Sequence, residues 1–412
     1  MPFSAALKRI TLPYRGLPTA VYIQVVCCLI INMGGMAKLF LPLYLHESYG
    51  VDFRSVGLMI SAYGAGSLLG SYKGGALSDR FDPRMLARVF LTLSGLCLVL
   101  LGTALPLPAF LPVLLVAGIA DGAFRPVNQR LALEPCTEAR RPVAQGMLRV
   151  ATNLGVALSG ITGGLLASVG YHWVYLSDGV SALLAVIWMV WAYRRHPAPG
   201  IARNAPSRHE VAGRQGPWRD GVFLRLMLAL MIATAIFDQT YTTLGLFLRR
   251  DYQLDPRWLG YLFTLNGLMV VFLQVPIAHR MQAWGMGRCA ALGVFLNGAG
   301  YCVLNFGNGP LWGILMMIAI TFGELLLSPS LAQLVMLRSE GRQRGRYMGV
   351  YSAVWSGRTL YAPALGTWIY ASAGGAMLWW VCGLASIAAL AVQSPAINAI
   401  LHPQPTPADC RP

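Results

Sequence analysis

Seven charged residues interrupt the long apolar runs of this chain, and their side chains are the ones that could do chemistry. A carboxylate in apolar surroundings can bind and release a proton near neutral pH, whereas an arginine stays charged and pairs with anions. A charge within a membrane costs about 2.5–3.5 kcal/mol, so each needs a partner, water or a function. The seven are Lys38, Lys73, Asp121, Arg125, Asp238, Glu324 and Arg358.

The spacing of these charges suggests pairs. Asp121 and Arg125 stand four residues apart and share a helix face, about 6 Å apart along the axis. They form either a structural ion pair or part of a site that handles substrate or protons. Asp238 and Glu324 are candidates for binding a proton or substrate, or for burial against a cation.

The remaining cations have open roles. Arg358 either neutralises Glu324 or Asp238 or binds an anionic substrate group. Lys73 can extend to the membrane edge, and Lys38 lies deeper, where a structural and a functional role are both open. Counted this way, the spans hold four cations and three carboxylates, which favours anionic or zwitterionic substrates.

The elements that carry these residues are apolar runs long enough to cross a bilayer, which takes about 20 residues. The sequence predicts twelve spans. They cover residues 19–45, 55–78, 84–105, 109–132, 144–168, 173–193, 221–247, 257–279, 287–306, 311–337, 347–370 and 376–394.

The distribution of Lys and Arg orients the spans. An even number of spans puts both termini on one side, and that side carries 24 Lys and Arg residues against 4 on the other. Positive charge marks the cytoplasmic side, so we expect both termini in the cytoplasm. The polar stretch 194–220 reads as a basic cytoplasmic linker between two sets of six spans.

Composition excludes several classes of protein. Apolar residues make up 56% of the chain and charged residues 12%, which is typical of a membrane protein. The net charge of +16 follows the loops and forms no basic face for nucleic acid. The sequence has no phosphate-binding Gly-x-x-x-x-Gly-Lys motif, metal cluster or catalytic Ser/His/Asp set, so we expect neither an enzyme nor a cofactor.

A charged turn between spans 2 and 3 points to a family. Residues 75–84 read Gly-Ala-Leu-Ser-Asp-Arg-Phe-Asp-Pro-Arg. Gly75, Asp79, Arg80 and Arg84 resemble the Gly-x-x-x-Asp-Arg-x-Gly-Arg-Arg loop of major facilitator superfamily transporters. The second family glycine is Asp82 here. Our hypothesis is that Asp79 pairs with Arg130 or Arg149, or caps a helix, and so latches one transport state.

Further segments resemble the same superfamily. Asn266-Gly267, Gly323-Glu324 and the entry to span 11 at 345–349 are similar to the branch of twelve-helix drug:proton antiporters. In span 5, residues 155–164 read Gly-Val-Ala-Leu-Ser-Gly-Ile-Thr-Gly-Gly and resemble the antiporter signature, with Ser159-Gly160 in place of Gly-Pro. The glycines still allow close helix packing, while the proline kink is lost.

The resemblance implies an all-α membrane protein with twelve transmembrane helices in two pseudo-symmetric six-helix bundles. The expected parts are a first bundle at 1–193, the linker at 194–220, a second bundle at 221–394 and a cytoplasmic tail at 395–412. Repeated halves of this kind are known from transporters that work by alternating access.

The implied function is secondary active transport of a small organic molecule across the cytoplasmic (inner) membrane. Proton-coupled efflux of a drug or metabolite is the first prediction. The alternative is a proton symporter or facilitator for an anionic or zwitterionic metabolite, such as an organic acid, a peptide-like or a siderophore-like molecule. Expected partners are the substrate, protons and the lipid bilayer, with the chain as a monomer. Substrate or proton coupling is assigned to Lys38, Asp121, Arg125, Asp238, Glu324 and Arg358, and gating to Gly75, Asp79, Arg80, Arg84 and Arg149.

Overall fold

The structure, a computed structural model, describes residues 16–34, 36–103, 105–196, 216–339 and 344–402. These residues form helices and no strand. The terminal cations Lys8, Arg9, Arg15 and Arg411, most of the linker (197–215) and most of the tail (403–412) lie outside the described residues. The predicted all-α membrane fold is confirmed.

The helices follow the predicted spans closely. Ten helical segments of the described chain are long and apolar enough to cross a membrane, and Phe53–Ser78, at 26 residues, also has the length. The helices are α1 (Thr19–Gly34), α2 (Ala37–Leu43), α3 (Phe53–Ser78), α4 (Pro83–Leu101), α5 (Leu107–Leu133), α6 (Arg141–Val169), α7 (Tyr171–Arg195), α8 (Gly221–Arg250), α9 (Arg257–Trp284), α10 (Met286–Cys302), α11 (Pro310–Arg338) and α12 (Arg344–Leu401).

Three predicted spans deviate from a simple helix. The first comprises α1, α2 and a π-helical turn at Tyr44–Ser48. The last two lie together in α12, which Gly374 breaks with a non-helical conformation (φ 83°, ψ 171°). Because this φ lies in the left-handed region, a residue with a side chain would be strained there. Gly374 therefore separates spans 11 and 12 without a longer loop.

Sequence signals explain where individual helices begin. Asp82 adopts an extended conformation, and its side chain accepts a hydrogen bond from the Arg84 N–H at 2.9 Å, with Pro83 at the first helical position. This is a standard N-cap. The acid that replaces the family glycine thus starts α4. Asp220 caps α8 in the same way, through the Phe223 N–H at 3.1 Å.

The chain divides into two compact units. The first comprises the described residues of Met1–Gly50, Ala62–Pro206 and Pro256–Val271, and the second those of Val51–Ser61, Ser207–Asp255 and Phe272–Pro412. Each unit therefore includes the start of one helix from the other half of the sequence. The predicted bundle boundaries at 193, 220 and 394 stay a prediction.

Each unit has its own apolar core. In the first, Cys27, Phe124 and Met189 pack between α1, α4, α5 and α7. In the second, Phe223 and Tyr347 pack between α8, α10, α11 and α12. These cores fix the helices that carry the in-span charges.

Candidate functional site

A cavity of about 380 Å³ lies inside the first unit. This is within the range of small-molecule sites, which measure about 300–1,000 Å³. Its wall is mostly apolar, and its polar side chains converge from all seven helices α1 to α7. The polar lining residues are Asn32, Lys38, Tyr63, Ser94, Asp121, Arg125, Asn128, Gln129, Thr152, Tyr175 and Asp178.

Asp121 is the centre of a charge cluster in this cavity. Its Oδ2 accepts hydrogen bonds from the Lys38 Nζ at 2.7 Å, the Tyr63 hydroxyl at 3.0 Å and the Arg125 Nη2 at 3.2 Å. The predicted Asp121–Arg125 pair is therefore present, and Lys38 joins it. Two cations share one carboxylate, so the cluster carries a net positive charge.

The cations of this cluster are more accessible than the acid. The side chains of Lys38 and Arg125 are 42% and 59% exposed, against 26% for Asp121. The Lys38 Nζ also lies 5.0 Å from the centre of the Tyr63 ring, a cation–π distance. An anionic group entering the cavity can reach both cations, and the aromatic ring offers it apolar contact.

Asp178 is a buried acid that sequence reasoning missed. It lies on α7, lines the same cavity, and its Oδ2 accepts a hydrogen bond from the Ala37 N–H at 3.1 Å. Ala37 is the first residue of α2, where a negative charge complements the helix dipole. The sequence could have indicated this acid, since Asp178 is a charged residue inside the apolar run 173–193. The count of three in-span carboxylates is therefore wrong, because with Asp178 four acids balance four cations.

In the second unit, Arg358 pairs with Asp238. Arg358 Nε lies 3.1 Å from Asp238 Oδ1, and the two side chains are 19% and 4% exposed. The guanidinium also lies 5.2 Å from the ring centres of Phe237 and Trp355. Of the two acids that sequence reasoning offered Arg358, Asp238 forms the ion pair.

Glu324 lies beside a much smaller space. A void of about 10 Å³ in the second unit is lined by residues of α8, α10, α11 and α12. The structure thus places Asp238 with Arg358 and Glu324 in a separate, narrow environment. The lining residues are Ala233, Thr234, Phe237, Asn297, Glu324, Leu327, Ser328 and Trp355.

The charged turn between α3 and α4 makes the expected contact. Asp79 Oδ1 lies 2.8 Å from Arg130 Nη1 of α5. Arg130 also donates to the Ser78 carbonyl at 2.6 Å and to Glu134 Oε2 at 2.7 Å. Of the two predicted arginine partners of Asp79, Arg130 is the one in this pair. Its role as a latch stays a prediction.

The other predicted gating residues are distributed around this turn. Gly75 lies within α3, and a side chain there would meet nothing within 4 Å, so packing does not require glycine. Arg80 lies in the turn itself. The Arg84 guanidinium lies 5.0 Å from the Tyr193 ring centre on α7. Arg149 lies on α6.

A second cluster, around Asp220, was not predicted. Arg338 donates to both carboxylate oxygens of Asp220 at 2.9 and 2.8 Å, and the Tyr347 hydroxyl donates at 3.0 Å. Burial acts to raise the pKa of Asp220, but the hydrogen bonds from Arg338, the Phe223 N–H and Tyr347 outweigh it and lower the pKa. The ionised side chain of Asp220 thus links the start of α8 to α11 and α12 through hydrogen bonds.

The glycines of span 5 pack closely, as predicted. A Cβ on Gly160 of α6 would lie 2.3 Å from Thr264 Oγ1 and 2.5 Å from the Gly260 carbonyl oxygen on α9. A Cβ on Gly164 would likewise lie 3.1 Å from the Arg257 backbone. The α6–α9 contact in the first unit therefore depends on small residues.

Membrane-length helices with paired charges beside internal cavities define a multi-pass membrane protein of the transporter class. A model of the Major Facilitator Superfamily matches residues 25–358, and the chain belongs to this family.

Curated relatives support this membership. The chain is 24% identical over 339 residues to the uncharacterized MFS-type transporter YqjV of Bacillus subtilis (strain 168), covering 80% of both chains. It is 25% identical over 339 residues to the enterobactin exporter EntS of Escherichia coli O1:K1 / APEC, covering 78% of this chain and 77% of EntS.

Solved structures share the fold. A POT family transporter in complex with a thioalcohol conjugated peptide aligns with a TM-score of 0.78 at 15% identity, covering 93% of this chain and 98% of that chain. The nucleoside transporter NupG aligns with a TM-score of 0.73 at 11% identity, covering 92% of this chain and 100% of that chain.

Proposed function

We propose that this protein exports a small organic molecule with an anionic group across the cytoplasmic (inner) membrane in exchange for protons, with both termini in the cytoplasm. The observation that carries this proposal is the cluster of Lys38, Asp121 and Arg125 in the cavity of the first unit. Two accessible cations share one carboxylate there. The substrate anion binds between the cations and takes over part of the role of Asp121.

The proton sites lie in the second unit. Glu324 is the carboxylate beside the narrow void and is the main proton carrier in this proposal. Asp238 is held by Arg358 at 3.1 Å, and this pair is a second point where a proton or substrate anion can act. Binding a proton at a buried carboxylate removes a charge that is costly to move through apolar surroundings.

The direction of transport is proposed from similarity. EntS is named an exporter, and YqjV an MFS-type transporter. An exporter of an anion that exchanges with protons uses the inward proton gradient directly. The chain acts as a monomer in this proposal, because the Lys38–Asp121–Arg125 cluster and the Asp238–Arg358 pair are each formed by residues of one chain.

A specific observation supports a second candidate, proton symport or facilitated uptake of an anionic or zwitterionic metabolite. In α6, Ser159-Gly160 replaces the Gly-Pro of the antiporter signature, and the helix runs from Arg141 to Val169 as one element. A helix without that proline lacks its kink. The direction of proton-driven flux distinguishes the two candidates.

The first experiment is a ligand screen. The purified protein is heated with organic anions, cations, zwitterions and neutral compounds, and a ligand at 100 times its Kd adds about 2.7 kcal/mol to the stability of the folded state. We expect stabilisation by anions. Stabilisation confined to cations or neutral compounds would contradict the proposed site.

The second experiment measures coupling in proteoliposomes with the stabilising anion. Export against an imposed inward proton gradient supports antiport, movement with the gradient supports symport, and flux indifferent to the gradient contradicts coupling. Glu324→Gln is expected to reduce coupled flux more than binding. Glu138→Gln is the matched control, because Glu138 is exposed in the turn before α6.

A further inference from the structure

The void beside Glu324 has the size and chemistry of a site for one water molecule. Its volume of about 10 Å³ is near the smallest space that holds a water. Residues of four helices line it, and polar atoms are part of its wall. A buried water at such a place is held by two to four hydrogen bonds.

Two polar atoms of the lining residues support this assignment. Asn297 Oδ1 and Trp355 Nε1 are both buried and have no hydrogen-bond partner among the described residues. Asn297 is only 1% exposed. A buried polar group left without a partner costs about 1–3 kcal/mol, so such groups are normally satisfied by protein or by water.

The two atoms are complementary to a water molecule. The indole N–H of Trp355 can donate to the water oxygen, and the water can donate one hydrogen to Asn297 Oδ1 and the other to the Glu324 carboxylate. A donor and two acceptors satisfy the water with three hydrogen bonds. A bound cation fits less well, because the indole N–H would face its positive charge.

Close helix packing fixes the position of Asn297. A Cβ on Gly323 would lie 2.9 Å from the Gly293 carbonyl oxygen and 3.1 Å from Asn297 Oδ1. The backbones of α10 and α11 are therefore in contact one residue before Glu324. Asn297 cannot swing toward solvent without separating these helices.

Other charged and titratable groups face this region from the adjoining helices. Asp238 on α8 pairs with Arg358 on α12, and the Arg358 guanidinium lies 5.2 Å from the Trp355 ring centre. Tyr361 on α12 donates to the Met231 carbonyl at 2.9 Å, and Tyr301 on α10 is hydrogen-bonded to Thr240. Trp355 thus contacts Arg358 and also lines the Glu324 void.

We propose that Asn297 and Trp355 are positioning residues that hold one water against Glu324, and that this water carries the proton to and from the carboxyl. On release, the carboxyl gives its proton to the water, and the water passes one proton on to bulk water. The water is regenerated and Glu324 is left as a carboxylate. This inference rests on the proposed function only in taking Glu324 as a proton site.

Infrared difference spectra of the purified full chain, recorded during a pH titration, test this site without a substrate. The protonated carboxyl band of Glu324 is the one that Glu324→Gln removes. We expect Trp355→Phe and Asn297→Leu each to shift the frequency of this band, because each variant removes one of the hydrogen bonds that hold the water against the carboxyl. Matched controls are Trp368→Phe and Asn308→Leu, whose side chains are exposed.

A measurement of thermal stability distinguishes a void that holds a water from one that is empty. If Asn297 Oδ1 is unsatisfied, Asn297→Leu removes its desolvation cost and raises the Tm; if it binds water, the Tm does not rise. An unchanged Glu324 band in both variants, or a raised Tm for Asn297→Leu, overturns the proposal. The result is separable from the transport assay, since coupled flux that survives Glu324→Gln would overturn the coupling role and leave the hydrated carboxyl intact.

Discussion

Asp121 on α5 holds the ammonium group of Lys38 on α2 at 2.7 Å, across 83 positions of sequence. The same oxygen atom also accepts from Arg125 and Tyr63. The second acid of the cavity, Asp178, accepts from the Ala37 N–H instead, so Asp121 alone pairs with the two cations and an added anion can bind there. This relationship is the basis for expecting an anionic substrate in the cavity of the first unit.

Lys38→Met is expected to weaken binding of the stabilising anion by about tenfold or more, because a charge-assisted contact to the ligand is lost. Calorimetric titration with the anion found in the screen measures this loss. Lys73→Met is the matched control, since Lys73 is an exposed lysine of α3 in the same unit. Equal affinities for the two variants would place the ligand elsewhere.

Asp79→Asn is expected to slow transport without preventing insertion into the membrane. The Asp79 side chain is 72% exposed, and an exposed ion pair contributes only about 0–1 kcal/mol, so the stability should change little. The measurement is the initial rate of flux at equal amounts of inserted protein.

Asp82→Asn controls for the loss of a negative charge in the same turn. Asparagine caps a helix as well as aspartate does, so α4 should begin unchanged. Normal flux through Asp79→Asn would show that the Asp79–Arg130 contact serves topology alone.

Asp220→Asn is expected to destabilise the second unit by about 2 kcal/mol, because it weakens the charge-assisted hydrogen bonds from Arg338 to an acid that is 1% exposed. The folded-state pKa of Asp220 lies below its ordinary value of 3.8. Its contribution is therefore complete above that value and is lost as the pH falls through the lowered pKa.

Thermal unfolding at neutral pH and in acid measures both effects. The difference in unfolding temperature between wild type and Asp220→Asn should become smaller in acid. Tyr347→Phe, which removes one hydrogen bond to Asp220, should cost about 1 kcal/mol. If the difference in unfolding temperature between wild type and Asp220→Asn stayed constant from neutral pH into acid, the role of the ionised carboxylate would be contradicted.

Gly160→Ala and Gly146→Ala are expected to act in opposite directions within α6. The added methyl group at Gly160 would meet Thr264 and the Gly260 carbonyl, and overpacking costs about 1–3 kcal/mol. At Gly146 it would meet nothing within 4 Å, so the gain in helix propensity should stabilise by about 0.5–1 kcal/mol. Unfolding temperatures of the two variants, measured side by side, decide this, and equal shifts would refute the close α6–α9 contact.

Most of the fold could be predicted from the sequence, because span length and apolar runs reflect the thickness of a bilayer directly. The partners of the in-span charges could be predicted only in part. Asp121 and Arg125 follow from helical spacing, whereas the partner of Lys38 depends on how α2 packs beside α5. Arg358 had two candidate acids of equal standing by sequence, and only packing selects Asp238.

The residues that were missed share a physical reason. Asp178 accepts a hydrogen bond from the first N–H of α2, and Asp220 accepts hydrogen bonds from Arg338 and Tyr347. The partners of each acid are therefore far away in the sequence. Neither interaction leaves a local pattern. The same holds for Asn297 and Trp355, whose hydrogen-bonding needs become visible only when the neighbouring atoms are in place.

The break at Gly374 has a practical consequence. The two final crossings are joined through one glycine, so the connection has no loop of its own to carry an inserted epitope, a glycosylation acceptor or a protease site. A topology map built from such insertions would merge the two crossings into one. It would then assign the carboxyl terminus to the opposite face of the membrane from the amino terminus.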